Sequence, residues 1–252
     1  MPVNREYINP AGLRLDGRRP HESRRLTMEF GKSPDCGGRC TVTAGLSHVC
    51  ATVYGPCEVT NRLDTKHSEV VITCEVVVAA FAGERRREPQ RRSKLSEEIS
   101  TAVLEVARST VFLSYYPNSQ IHICIEVLRQ DGNDKAACIN AACLALVDAN
   151  VAMRDIIYAQ TVGFMEGVDV VDLTTEELHS YCPFICICVQ CHDTSNIVWM
   201  ESNSRVAPEV ITRLVSVAQK TAQHTFATVL RGSLEQHAAA ALRLQTNLGS
   251  FE

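Results

Sequence analysis

Nowhere in its 252 residues does the chain carry an apolar run long enough to cross a bilayer. The longest, Val70 to Ala82, is broken by Glu75. The N-terminal stretch MPVNREYINPAGLRLDGRRP lacks the apolar core of a secretory signal. No Pro/Gly-rich linker and no low-complexity block divides the chain. These absences predict a soluble intracellular protein with no membrane partner, and the 45% apolar, 21% charged composition suits a globular core.

A second CxxC is also missing. Twelve cysteines lie mostly singly in apolar stretches, where a reduced thiol behaves as a small buried hydrophobe. Cys188 and Cys191 form one CxxC, but nothing pairs with it at zinc-site distance. FICICVQC alternates as a core strand instead, so no metal and no cofactor is expected.

What is present is a mixture of strand and helix patterns without strict alternation, which places the chain in the α+β (mixed α/β) class. CTVTAGLSHVCATVYGPCEV reads as two strands joined at Ala44-Gly45, and residues 67–81 as a long third strand. Leu95, Ile99, Val103, Val106, Thr110 and Leu113 recur at helical spacing, predicting an amphipathic helix over about 93–113. NSQIHICIEVLRQ alternates as a strand, and 134–149 is apolar almost all round, a buried helix. Short strands are expected near 156–164, 168–173, 183–190 and 196–201. A long helix starts at Pro208 and is predicted to end at Gly232, with Ser233 and Gln236 capping a shorter one.

Charge is uneven. RRREPQRRSK (85–94) carries six positive charges and one negative, so +5 within a total of −4 leaves −9 on the rest of the chain. Such a run on an acidic body predicts a localised polyanion contact, and Arg suits phosphate through its planar fork. The alternative is a solvated loop. A second anion-binding candidate is LRQDGNDKAACINAA, where a strand, a tight turn and a helix N-terminus follow one another with Lys135 in the first helical turn.

LRLDGRRPHESRR (13–25), VYGPCEV (53–59), AGERRREPQRRSKLSEEIS (82–100), YPNSQIHICIEVLRQDGNDKAACINAACLALVDANVAMRD (116–155) and VDLTTEE (171–177) stand in the order of the landmarks of the RNase PH family. The chain most resembles the RNase PH-like ring subunits of the RNA exosome. The resemblance implies an RNase PH-like fold, related to ribosomal protein S5 domain 2, over a single domain 1–252. In it, 1–12 is a polar leader, 13–150 the first pseudo-repeated half and 151–252 the second, with the C-terminal helix. It further implies a six-membered ring around single-stranded RNA and work in 3′–5′ RNA processing and degradation, including rRNA maturation. The implied partners are other RNase PH-like subunits (a 45-type neighbour first), S1/KH cap proteins and a hydrolytic exoribonuclease. The implied locations are nucleus, nucleolus and cytoplasm. Arg91 and Arg92 match the family's RNA-contacting arginines, with Arg85, Arg86 and Arg87 as second candidates.

Active relatives place an Arg in the strand-to-helix turn and two aspartates after the strand ending Asp-Leu. Here the Arg position is Lys135, preceded by Asn133 and Asp134, and the aspartate positions are Leu178 and Tyr181. Leu cannot ligate a cation, and a phenol with a pKa near 10 is a poor carboxylate. Glu176 and Glu177, being adjacent, are expected to diverge rather than replace the pair. These departures predict a non-catalytic ring subunit with no catalytic residues and a vestigial phosphate site at Lys135, Asn133 and Asp134. The alternatives are an active phosphorolytic exoribonuclease and another ring paralogue, of the 46 or messenger RNA transport regulator type.

Overall fold

A strand not among those predicted opens the fold: Leu26–Phe30 (β1) alternates strictly, with Leu26, Met28 and Phe30 half-buried against the core and Thr27 and Glu29 exposed. The computed structural model describes residues 7–31, 35–59, 68–83, 86 and 93–248. β1 pairs with β2 (Gly38–Ala44), and β2 with β3 (Ser47–Glu58), both antiparallel, about the predicted turn at Gly45. The third strand is shorter than expected: β4 covers Val71–Val78, and the chain turns at Ala79 to Gly83. The helix α1 (Lys94–Thr110) starts one residue after Ser93, whose hydroxyl accepts from the Ser96 amide at 3.1 Å. α1 leads into β5 (Ser119–Arg129), which lies between β3 and β4 and runs parallel to β4. The first sheet therefore has the order β1-β2-β3-β5-β4.

The helix α2 (Asp134–Asp148) is buried along every face from Ala136 to Leu146, as its composition predicts. It packs on β2 and β3 on one side and on β6 (Ile157–Met165) on the other, so it is the layer between the two sheets. Small residues make this close approach possible. A Cβ at Gly38 would sit 2.4 Å from the Ala145 carbonyl oxygen, a backbone collision that only glycine avoids. The second sheet runs β7 (Val168–Val171), β6, β8 (Phe184–Gln190) and β9 (Ile197–Ser202), all antiparallel. A four-residue helix, α3 (Thr175–Leu178), connects β7 to β8. Cys186 and Cys188 are buried in the middle of β8, and burial pushes the Cys186 thiol up to about 12 and the Cys188 thiol well above its ordinary value. Among the described residues no three His, Cys, Asp or Glu side chains gather as a metal site needs.

The C-terminal reading needs correction at Gly232. α4 (Pro208–Thr225) passes through a π-helical turn at Phe226–Leu230 into α5 (Arg231–Leu248), with no break at the glycine. Gly232 is exposed and its missing Cβ meets nothing, so it costs the helix only about 1 kcal/mol. The Ser233 hydroxyl donates to the Val229 carbonyl, four residues back, rather than capping a new helix.

Candidate active site

The turn Asp131-Gly132-Asn133 after β5 is held from below by an N-terminal strap. Gly132 has φ +68, and a Cβ there would lie 2.5 Å from the Leu173 carbonyl oxygen, so the turn and the loop after β7 touch backbone to backbone. Asn133 is also left-handed (φ 54), and its side chain is spent internally: its amide nitrogen donates to Asp172 at 2.9 Å and its oxygen accepts from Thr161. Asp172 is itself left-handed (φ 57) and buried. Arg24 donates to both of its carboxylate oxygens, at 2.7 and 2.9 Å, and to Asp131 Oδ2 at 3.0 Å, tying the two loops together. Arg18 adds a longer contact at 3.5 Å.

A second arginine of the strap goes deeper. Arg14 donates to Glu177 through both Nε (2.7 Å to Oε1) and Nη2, and to the carbonyls of Val171 and Asp172 at 2.7 and 3.0 Å. Both side chains are fully buried. Glu177 also closes a capping box with Thr174, its carboxylate accepting from the Thr174 amide at 2.8 Å. These arginines are the landmark residues of LRLDGRRPHESRR. Their part in holding the loops was not foreseen, though the T-x-x-E pattern at Thr174–Glu177 was a readable signal for the cap.

Two cavities flank this turn and share Leu95, Asp134 and Leu178 as a common wall. The smaller, of about 230 Å³, contains Lys135. Its ammonium is held by Glu201, at 2.8 and 3.0 Å, and by Glu98 at 3.1 Å. Burial works to lower its pKa, but the hydrogen bonds to Glu201 and Glu98 outweigh that and raise it above the usual lysine value, so Lys135 is a firm cation. The larger cleft, of about 930 Å³, opens toward the turn after β4 and the β2–β3 turn.

The predicted residues separate in this geometry. Lys135 is in the smaller cavity. Asp134 lies in the shared wall, one carboxylate oxygen accepting from the Gln130 amide at 3.0 Å, and Asn133 is turned to the Asp172 network. Leu178 lines both cavities, whereas Tyr181 is 94% exposed with φ 56 and lines neither. Glu176 reaches the larger cleft and Glu177 is locked to Arg14, so the adjacent pair does diverge. Arg86 is exposed; Arg85, Arg87, Arg91 and Arg92 lie outside the described residues.

A family model described as "3' exoribonuclease family, domain 1" matches residues 22–152, just over half of the chain. The chain belongs to the RNase PH family. A protein named Exosome complex component RRP41 homolog, from Arabidopsis thaliana, is 38% identical over 174 residues, covering 68% of this chain and 71% of its own. The Homo sapiens protein named Exosome complex component RRP41 is 30% identical over 234 residues, covering 92% and 94%. Among solved structures, one described as "archaeoglobus fulgidus exosome with RNA bound to the active site" aligns with TM-score 0.74 at 22% identity, over 89% of this chain and 93% of that one. Rice Rrp46 aligns with TM-score 0.75 at 19% identity, over 86% and 100%. At those identities the structures establish the RNase PH fold, and the RRP41 likeness rests on the sequence relatives.

These findings correct the expectation of an inactive chain. Membership in a 3′ exoribonuclease family, with relatives of the RRP41 type from plant to human, overturns it. The expectation rested on Leu178 and Tyr181 at the two aspartate positions and on Lys135 in place of an arginine. Positions 178 and 181 hold no carboxylate, yet Glu98 and Glu201 bring two to Lys135 from α1 and β9.

The strap gives the site a pH signature. Burial alone would raise the Asp172 carboxyl, but hydrogen bonds and charge from Arg24, with Arg18 adding, more than offset it and hold it below the ordinary carboxylate range. The resulting stabilisation is complete above an unfolded-state pKa near 4 and is lost as pH falls through the lower folded value. In urea unfolding, the stability gap between the wild type and Asp172→Asn is therefore expected to be widest near neutrality and to shrink below about pH 4. A gap that stays constant down to pH 2 would refute the assignment.

Proposed function

We propose that the chain is an RRP41-type subunit of an exosome ring and removes nucleotides from the 3′ end of single-stranded RNA by phosphorolysis. The observation that carries the reading is Lys135, a cation at the first turn of α2 inside a cavity, on a chain of the RNase PH family. Inorganic phosphate attacks the terminal phosphodiester phosphorus, the bond to the penultimate 3′ oxygen breaks, and a nucleoside diphosphate leaves. Hydrogen phosphate carries the proton that the departing oxygen needs, so the balance requires no further reactant.

The catalytic task is to hold two anions together. Lys135 supports this as a point charge and the α2 N-terminus as a partial one. Lys135 sits between two glutamates, so its charge does not balance a phosphate dianion alone. The rest of the positive charge is assigned to Arg91 and Arg92, with Arg85, Arg86 and Arg87 behind them, and to a neighbouring subunit. That need favours action within a ring, with a 45-type RNase PH-like neighbour, S1/KH caps and a hydrolytic exoribonuclease as partners. We read residues 1–252 as one domain, and nucleus, nucleolus and cytoplasm as its locations. The test is whether RNA shortening by the assembled ring requires inorganic phosphate and yields nucleoside diphosphates.

A further inference from the structure

The ammonium of Lys135 is fully engaged before any anion arrives. An ammonium carries three N–H donors. Three carboxylate oxygens surround this one: both of Glu201, at 2.8 and 3.0 Å, and Oε2 of Glu98 at 3.1 Å. A phosphate oxygen bonds here only by displacing one of them. Two carboxylates beside a single cation also repel an incoming anion. Phosphate binding at Lys135 is therefore an exchange of one anion for another.

The two glutamates are not equivalent. Glu201 supplies two of the three contacts, and among the described residues Lys135 is the only cation it meets. Its backbone is fixed opposite Cys186 of β8, whose side chain is buried. Glu98 supplies one contact and stands between two cations. Its other oxygen, Oε1, is 3.8 Å from the ammonium of Lys94, one turn back along α1. That is too long for a hydrogen bond, but a side-chain rotation closes it. The Lys94 side chain is 91% exposed, so it is free to meet the carboxylate. We infer that Glu98 is the displaceable counter-ion of Lys135, moving onto Lys94 when phosphate enters, while Glu201 is the positioning residue that keeps the ammonium aimed. The inference rests on the phosphorolytic reading and adds how phosphate gains its cation.

Phosphate-saturation kinetics of the assembled ring on 3′-tailed RNA separate the two roles. Glu98→Gln keeps the shape of a partly exposed side chain and removes its charge, so the variant retains the fold. Its kcat/KM for phosphate is expected to rise roughly 2- to 5-fold, through a lower KM, the size of one partly exposed ion pair. Glu201→Gln should act in the opposite sense and lower kcat by roughly 10- to 100-fold, because the ammonium loses its aim. Lys94→Ala should raise the KM for phosphate about 2-fold in wild type and leave it unchanged in Glu98→Gln, where no charged carboxylate has to be received. A KM that does not fall in Glu98→Gln overturns the exchange and leaves the phosphorolytic reading standing. A fall in kcat with KM constant in that variant also overturns it, since Glu98 would then take part in the chemistry. A Lys94→Ala effect that persists in the Glu98→Gln background overturns the transfer to Lys94. Failure of Glu98→Gln to enter the ring would assign Glu98 to a subunit contact, against the inference. A wild-type ring that shortens RNA equally with and without phosphate overturns both readings.

Discussion

Glu177→Ala is expected to destabilise the fold by about 3–5 kcal/mol, because it leaves the Arg14 guanidinium buried without its counter-ion. Arg14→Ala should cost about as much from the other side, and it also abandons the carbonyls of Val171 and Asp172. Against the ~5–15 kcal/mol stability of an ordinary domain, either change removes a large fraction of the total. The informative comparison is the double variant Arg14→Met/Glu177→Leu. Replacing both charges by apolar groups removes the desolvation cost along with the attraction, so it should recover most of the lost stability. Urea unfolding of the three variants measures this. Single variants within about 0.5 kcal/mol of wild type, the range of ordinary surface substitutions, would show that the strap does not hold the loop.

Lys135→Ala is the larger effect on activity. The ammonium's contacts with Glu98 and Glu201 are partly exposed ion pairs, each contributing about 0–1 kcal/mol, so the fold should survive their loss. Removing a preorganised charge from a site where anionic charge must be held costs on the order of 100- to 1,000-fold in turnover. The loss is expected to appear together with a raised apparent KM for inorganic phosphate. Lys135→Arg should keep a substantial part of the rate, since the guanidinium retains the charge and adds a fork suited to phosphate oxygens. Phosphate-saturation kinetics of the assembled ring decide this. Equal rates for wild type and Lys135→Ala would remove Lys135 from the reaction.

Much of the scaffold could be read locally. The periodicity of Leu95 to Thr110 and the unbroken apolar surface of residues 134–149 predict α1 and α2 within a few residues of their observed bounds. Gly45 and Pro208 likewise mark a turn and a helix start. Gly232 misled because an exposed helix interior absorbs a glycine at small cost, whereas a break would strip backbone bonds from the junction of α4 and α5. The active-site wiring was less accessible. Lys135 was visible as a position, but the glutamates that hold it come from a different helix and a different sheet. Arg14 meets Glu177 across 163 residues of sequence, and ion pairs at such range leave no local pattern. Phe81 reads in sequence as the end of a long apolar strand. Only the early end of β4 at Val78 exposes it.

The most direct test of the account is product analysis. The assembled ring is given 3′-tailed single-stranded RNA, with and without inorganic phosphate, and the released nucleotides are separated by charge. The account predicts nucleoside diphosphates, only when phosphate is present, and their loss in a ring carrying Lys135→Ala. Nucleoside monophosphates released without phosphate, or diphosphate release indifferent to Lys135→Ala, would contradict it.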